Sequence, residues 1–318
     1  MTQDSNKVTN TVPRRHHYVW RYYLEAWAVD GAVSVVRDQD VFATNPINLA
    51  VQKDFYRLSE MSSGDRQIIE EFIARTESEP HMRQLYMRFL DQFFMPSLFK
   101  KYFAEWGIED LDAEKFIENM EIALEETYHS LIESDNIPHL DALRSGNLQF
   151  WNDDASATKF VSFLCHQHLR TKRIRDSVVE QFRQHSDPTF AVRLLPIMRA
   201  ILSQKFARSI CAERDLWDIR IITTNTDEVF ITSDQPTRNL LSGEGHDHLC
   251  LFYPISPKSA LLLEKVTNQR IFDNRTLLSC EEVMELNIDT LKHSHEQAFA
   301  NSQEYLKSIL DRAQKSHA

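Results

Sequence analysis

Residues 217–232 read WDIRIITTNTDEVFIT, and the fold class turns on them because the chain changes texture there. Residues 217–224 and 229–232 are short β-branched and aromatic runs, which suit a pleated, half-buried surface. Residues 225–228 between them predict a hairpin turn. Downstream, 249–255 and 260–266 predict a second strand pair, interrupted by Ser256-Pro257. Residues 279–314 then return to a helical pattern. Ser279 and Glu282 have capping-box spacing, so a long C-terminal helix is expected over about 279–314.

Upstream the texture is helical. Residues 155–185 form the longest central pattern, with Phe160, Phe163, Leu164 and Leu169 as its apolar stripe. A second helix is expected over 189–212, after Asp187-Pro188. Residues 112–133 predict a helix that buries Phe116, Met120, Ile122, Ala123, Tyr128 and Leu131 and turns its acidic run to solvent. From Asp65, the residues Ile68, Ile69, Phe72 and Ile73 recur at helical steps, followed by Leu85 and Phe89, with Pro80 as a break. Residues 32–58 suggest a hairpin after the Asp30-Gly31 turn, and 18–27 a short aromatic helix. Residues 1–12 read as a disordered leader. The expected architecture is therefore α+β. It is a mostly helical single unit over 13–318, with a small antiparallel sheet and a long C-terminal helix.

Composition narrows the function classes. Six glycines and ten prolines in 318 residues favour long helices over a loop-rich fold. The formal net charge of −11 argues against a broad DNA-coating surface, although residues 170–175 (RTKRIR) could line a local basic cleft. The lack of a clear helix-turn-helix signal also disfavours a DNA-binding regulator. The four cysteines are scattered without a CxxC, which fits a reducing cytoplasm. No signal-peptide core and no membrane-length apolar run stand out. GxSxG, P-loop and GxGxxG signatures are missing. His166 and His168, two apart on a helix beside Cys165, point to different faces and make a poor zinc pair.

Several polar residues could carry chemistry. Ser233 and Asp234 end a strand and open a loop; Asp234 could be a general base or a metal ligand, or the group could be a structural turn. Gln167 and Arg170 share a helix face, with Arg175 near its edge. They suit a phosphate or carboxylate, or else ion pairs with Glu70 or Glu77. Glu70 and Glu77 lie two helical turns apart, roughly 10 Å, too far to hold one metal directly without other groups. His17 beside Tyr18 could shuttle protons, or be a packed, hydrogen-bonded residue, with His16 a solvated neighbour.

Together these motifs resemble a bacterial family catalogued as domain of unknown function 4238. His17-Tyr18-Val19 with Tyr22-Tyr23-Leu24 and Trp27 is similar to its opening. Asp54-Phe55-Tyr56, the seven-residue spacing of Glu70 and Glu77, and Gln167, Arg170, Thr171 and Arg175 agree with later positions. Residues 230–236 (FITSDQP) resemble its Thr-Ser-Asp-x-Pro signature, followed by residues 253–257 (YPISP). The likeness spans about 16–266 and departs at Trp20 and Lys172, where the family usually or commonly has proline. It implies a map of positions and no mechanism.

The leading expectation is an intracellular hydrolase of a phosphate-containing substrate, with a metal-dependent nuclease as one candidate. His17, Asp234 and Glu77 would be catalytic. Gln167, Arg170, Arg175, Ser233 and Tyr18 would bind substrate, and Asp234 with Glu70 would hold Mg²⁺ or Mn²⁺. The partner would be a small phosphate-bearing ligand or a nucleic acid, with no membrane involved. The alternative is a non-enzymatic binding or toxin-partner module whose polar motifs are structural.

Overall fold

The computed structural model describes residues 12–184, 187, 189–242, 249–266 and 271–315. The expected leader, 1–12, lies outside them except for Val12. The chain opens with β1 (Arg15–His17), α1 (Arg21–Leu24), β2 (Val33–Arg37), β3 (Asp40–Thr44) and β4 (Val51–Lys53). Helices α2 (Ser63–Thr76), α3 (Pro80–Trp106), α4 (Leu111–Arg144), α5 (Asp154–Leu169), α6 (Lys172–Gln181) and α7 (Phe190–Ala212) follow. Strands β5 (Trp217–Thr223), β6 (Thr232–Ser233), β7 (Arg238–Asn239), β8 (Cys250–Ser256) and β9 (Ser259–Lys265) come next. The chain then ends with α8 (Cys280–His293), β10 (Gln297–Ala300) and α9 (Gln303–Lys315). The class is α+β and mostly helical, as expected.

Local chemistry sets the helix ends. Ser62 and Asp65 form a reciprocal capping box that starts α2. Pro80 opens α3, where a missing N–H costs nothing. Gly107, at φ 63°, adopts the left-handed conformation that stops α3. Asp110 caps α4 by accepting the N–H groups of Asp112 and Ala113.

Four expectations are corrected. The 155–185 helix is two helices, because Thr171 leaves helical geometry (ψ 156°) and its hydroxyl caps α6. The 279–314 helix is interrupted by β10, which is an interior strand of a sheet and so must be extended. The 217–232 hairpin does not form: β5 pairs with β9, while β6 pairs with β10. The acidic run of α4 is solvated only in part, at Asp112 and Glu114. Glu121, Glu125, His129 and Glu133 are buried, whereas Phe116 and Leu131 are 58% and 61% exposed.

The strands form three antiparallel sheets among the described residues: β1-β4, β3-β2-β10-β6 and β5-β9-β8-β7. A hydrophobic core runs from the aromatic segment (Tyr18, Tyr23, Trp27) through Phe160 and Phe163 of α5 to Tyr253 and Leu261. Tyr23 stacks on Tyr253 with ring centroids 4.9 Å apart, and Trp27 Nε1 donates to Phe230 O at 2.8 Å. A second core joins α2, α3 and α7 through Ile69, Tyr86 and Ile197. No described helix is long and apolar enough to cross a membrane.

Candidate functional site

The segments singled out by sequence meet. Tyr23 and Thr232 share a hydroxyl hydrogen bond of 2.6 Å. Thr171 Oγ1 donates to Gln235 Oε1 at 2.8 Å, which docks the α5–α6 junction on the loop after β6. Arg170 Nη2 donates to His17 O at 3.2 Å. Gln297 Nε2 donates to the Tyr18 hydroxyl at 2.9 Å, bridging residues 279 apart in sequence.

Within that assembly several proposed roles find other employment. The Asp234 carboxylate is fully buried and accepts the backbone N–H groups of His295, Glu296 and Gln297 at 2.8, 2.6 and 3.0 Å. It therefore fixes the bend that joins α8 to β10. Ser233 Oγ accepts from Gln235 N at 3.1 Å within its own turn. His17 Nδ1 is held 3.2 Å from Leu49 O. Burial, aided by Arg170, Arg21 and Arg15, lowers His17 to about 4, so it is neutral near pH 7. His16 is not a solvated neighbour: it is buried, and its Nδ1 accepts from Tyr56 N at 2.9 Å.

The two glutamates of α2 stand apart from this assembly. Glu70 pairs with Arg66 one turn away at 2.8 Å. Glu77 caps α2, pairs with Arg208 at 2.9 Å and lines a surface pocket with Lys205 and Arg214. No contact joins either to Asp234, so the metal set of Asp234 and Glu70 is not assembled. Among the described residues, no group of three or more His, Cys, Asp and Glu side chains is arranged to hold a metal ion.

Arg170 leads to a constellation the sequence reading missed. It is 1% exposed and pairs with Glu133 Oε1 at 2.7 Å, not with Glu70 or Glu77. Glu133 belongs to a row on α4, Glu125–His129–Glu133, spaced one helical turn apart. Across from this row, α5 contributes His166 and Gln167, Arg170 follows at its C-terminal cap, and α7 contributes Arg199. His129 Nδ1 and His166 Nε2 are 2.6 Å apart, and His129 Nε2 lies 3.3 Å from Glu125 Oε1. Arg199 forms an ion pair with Glu125, and its guanidinium sits 5.7 Å from the Tyr56 ring centroid. Half-buried Arg175, over Phe55 at 4.8 Å, stands at the rim of the same charge cluster.

Burial governs the electrostatics. It pushes both histidines well below their ordinary value, reinforced by Arg170 and Arg199, so both imidazoles are neutral. It raises Glu133 to about 7 against the pull of Arg170, with Gln167 helping to hold it down. It raises Glu125 against the pull of Arg199. The two imidazoles share one hydrogen bond, between His129 Nδ1 and His166 Nε2. Glu125 Oε1 lies 3.3 Å from His129 Nε2 without a hydrogen bond to it. The remaining ring nitrogen is His166 Nδ1. That nitrogen, Arg170 Nε and Nη1, Arg199 Nε and Nη1, and the Tyr253 hydroxyl are buried without a hydrogen-bond partner. Each guanidinium or hydroxyl donor among them costs about 1–3 kcal/mol if left unmet.

One signal for this constellation was present in the sequence, the four-residue recurrence of Glu121, Glu125, His129 and Glu133. No curated protein and no solved structure matches the chain. The profile of the family described as Protein of unknown function (DUF4238) matches residues 15–81 and 91–304, which take in all of these elements. The chain belongs to that family.

Proposed function

We propose that the chain hydrolyses a phosphate-bearing substrate at the buried cluster of α4, α5 and α7. The observation that carries this reading is the set of buried, unpartnered guanidinium N–H groups of Arg170 and Arg199 beside two neutral histidines. Arg170, Arg199 and, at the rim, Arg175 would clamp the phosphoryl oxygens. Water would attack phosphorus while His166 Nδ1 takes its proton. The bond to the leaving oxygen would break as Glu133, held near pH 7, donates a proton to that oxygen. Base and acid are thus separated by environment, and neither Asp234 nor Glu70 is needed. Entry would require α6 to shift; α6 has no buried side chain and is tied by Thr171, Lys172 and Arg173 at its start.

The second reading is a binding module with structural motifs. It is favoured by the three backbone bonds to Asp234 and by the sealing of Arg170. Release of p-nitrophenol from its phosphate mono- and diesters, with cleavage of a labelled oligonucleotide alongside, separates the two. The hydrolase reading expects turnover that drops about a hundredfold or more in folded His166→Gln and Arg175→Gln proteins. No turnover of any of the three, or turnover indifferent to both substitutions, rejects it and leaves the binding module.

A further inference from the structure

A cleft of about 490 Å³ opens on the other side of the Thr171–Gln235 junction. Its walls are the end of α5 (His168), the start of α6 (Arg173, Ile174), the loop after Asp234 (Gln235, Thr237, Arg238) and the end of α8 (Asp289, His293). The volume lies within the roughly 300–1,000 Å³ of small-molecule sites.

The charge balance of the cleft runs against that of the chain. Arg173 and Arg238 are close enough to repel one another, and one carboxylate, Asp289, answers them. That carboxylate is already engaged by Arg238 and by His293, whose Nδ1 lies 3.0 Å from it. Arg238 is held rigid by Asp289 and by Thr290 Oγ1 at 3.2 Å, and lies 5.6 Å over the Phe252 ring. Arg173 gives one N–H to His293 O at 2.8 Å and is otherwise exposed. Thr237 supplies an independent sign. It is 1% exposed, its backbone oxygen holds His168 Nδ1 at 2.9 Å, and its hydroxyl is buried in the cleft wall without a hydrogen-bond partner. Ile174 and Leu240 add apolar wall.

We propose that this cleft is a second binding site, for a small organic phosphate of about mononucleotide size. Arg173 and Arg238 take the phosphate, Thr237 Oγ1 takes one polar contact, and the apolar wall covers the body of the ligand. The site is built from different side chains than the buried arginine–histidine cluster and does not depend on it.

Isothermal titration of the full chain with AMP, ribose 5-phosphate and adenosine tests this. AMP or ribose 5-phosphate is expected to bind and adenosine not. Arg173→Gln should weaken phosphate binding about tenfold or more, as loss of a charge-assisted contact does. Thr237→Val should weaken it less, and Lys101→Gln, at an exposed position of α3, should leave it unchanged. Arg173 is exposed, so its variant is expected to fold, as circular dichroism would verify. Failure of both phosphates to bind, equal binding of adenosine, or a loss with Lys101→Gln but not with Arg173→Gln would overturn the proposal. Silence in the hydrolysis assays with the Arg173→Gln effect intact would reject only the hydrolase reading.

Discussion

Glu133 sits between opposed influences: burial raises its carboxyl to about 7, and Arg170 at 2.7 Å pulls it back. In the unfolded chain the group returns to its ordinary value of 4.5. Between those values the native state holds a proton that the unfolded state has released. The contribution of this group to stability is therefore full below about 4.5 and is lost as pH rises through about 7. Denaturant titrations at a series of pH values should show that segment, worth up to ~3 kcal/mol, and Glu133→Gln should flatten it. An unchanged pH profile in the variant would mean that Glu133 ionises normally. At this scale the sequence named positions better than roles. His17, Tyr18, Gln167, Arg170, Ser233 and Asp234 do come together, yet Asp234 is a backbone anchor and His17 is neutral. His166 and Arg199 each look like an ordinary helix polar residue, and the four-residue recurrence of Glu125, His129 and Glu133 reads equally well as a solvated acidic face. Phe116 and Leu131 pointed to the wrong face of α4 as the buried one.

Helix α6 differs from its neighbour in what it hides. Helix α5 buries Phe160, Phe163 and Leu164 completely, whereas no residue of α6 is fully buried, Ile174 and Arg175 being half-buried, and its start is held by polar contacts. Local opening free energy follows buried apolar contact. Native-state hydrogen exchange should therefore be faster in α6 than at the centre of α5, by about a hundredfold or more. Equal protection would show that α6 is fixed, and would remove the entry route to the arginine–histidine cluster. Periodicity found both helices but joined them, since the break at Thr171 depends on a partner, Gln235, that lies 64 residues away. The strand texture after Trp217 was also legible. Its pairing was not, because β6 pairs with a strand that begins at Gln297.

Across the whole molecule, β10 lies inside its sheet, between β2 near the start of the chain and β6. The family resemblance read from motifs ended near 266, but the profile match continues to 304 and includes this strand. A chain cut after residue 266 would leave β2 and β6 without their shared partner and Asp234 without its three N–H donors. It should fail to melt cooperatively and should aggregate by size-exclusion chromatography. A cooperative transition from that fragment would show that the C-terminal elements are an accessory. The overall class was readable because helical and strand textures occupy different stretches. The closure of the sheet was not, because it joins residues that periodicity treats as unrelated. The Tyr18–Gln297 bond carries this closure into biosynthesis. At roughly 5–20 residues per second of translation, the opening segment waits on the order of tens of seconds before its last neighbour leaves the ribosome. Throughout that wait the nascent chain presents a bare strand edge and the aromatic segment 18–27, the kind of surface chaperones hold.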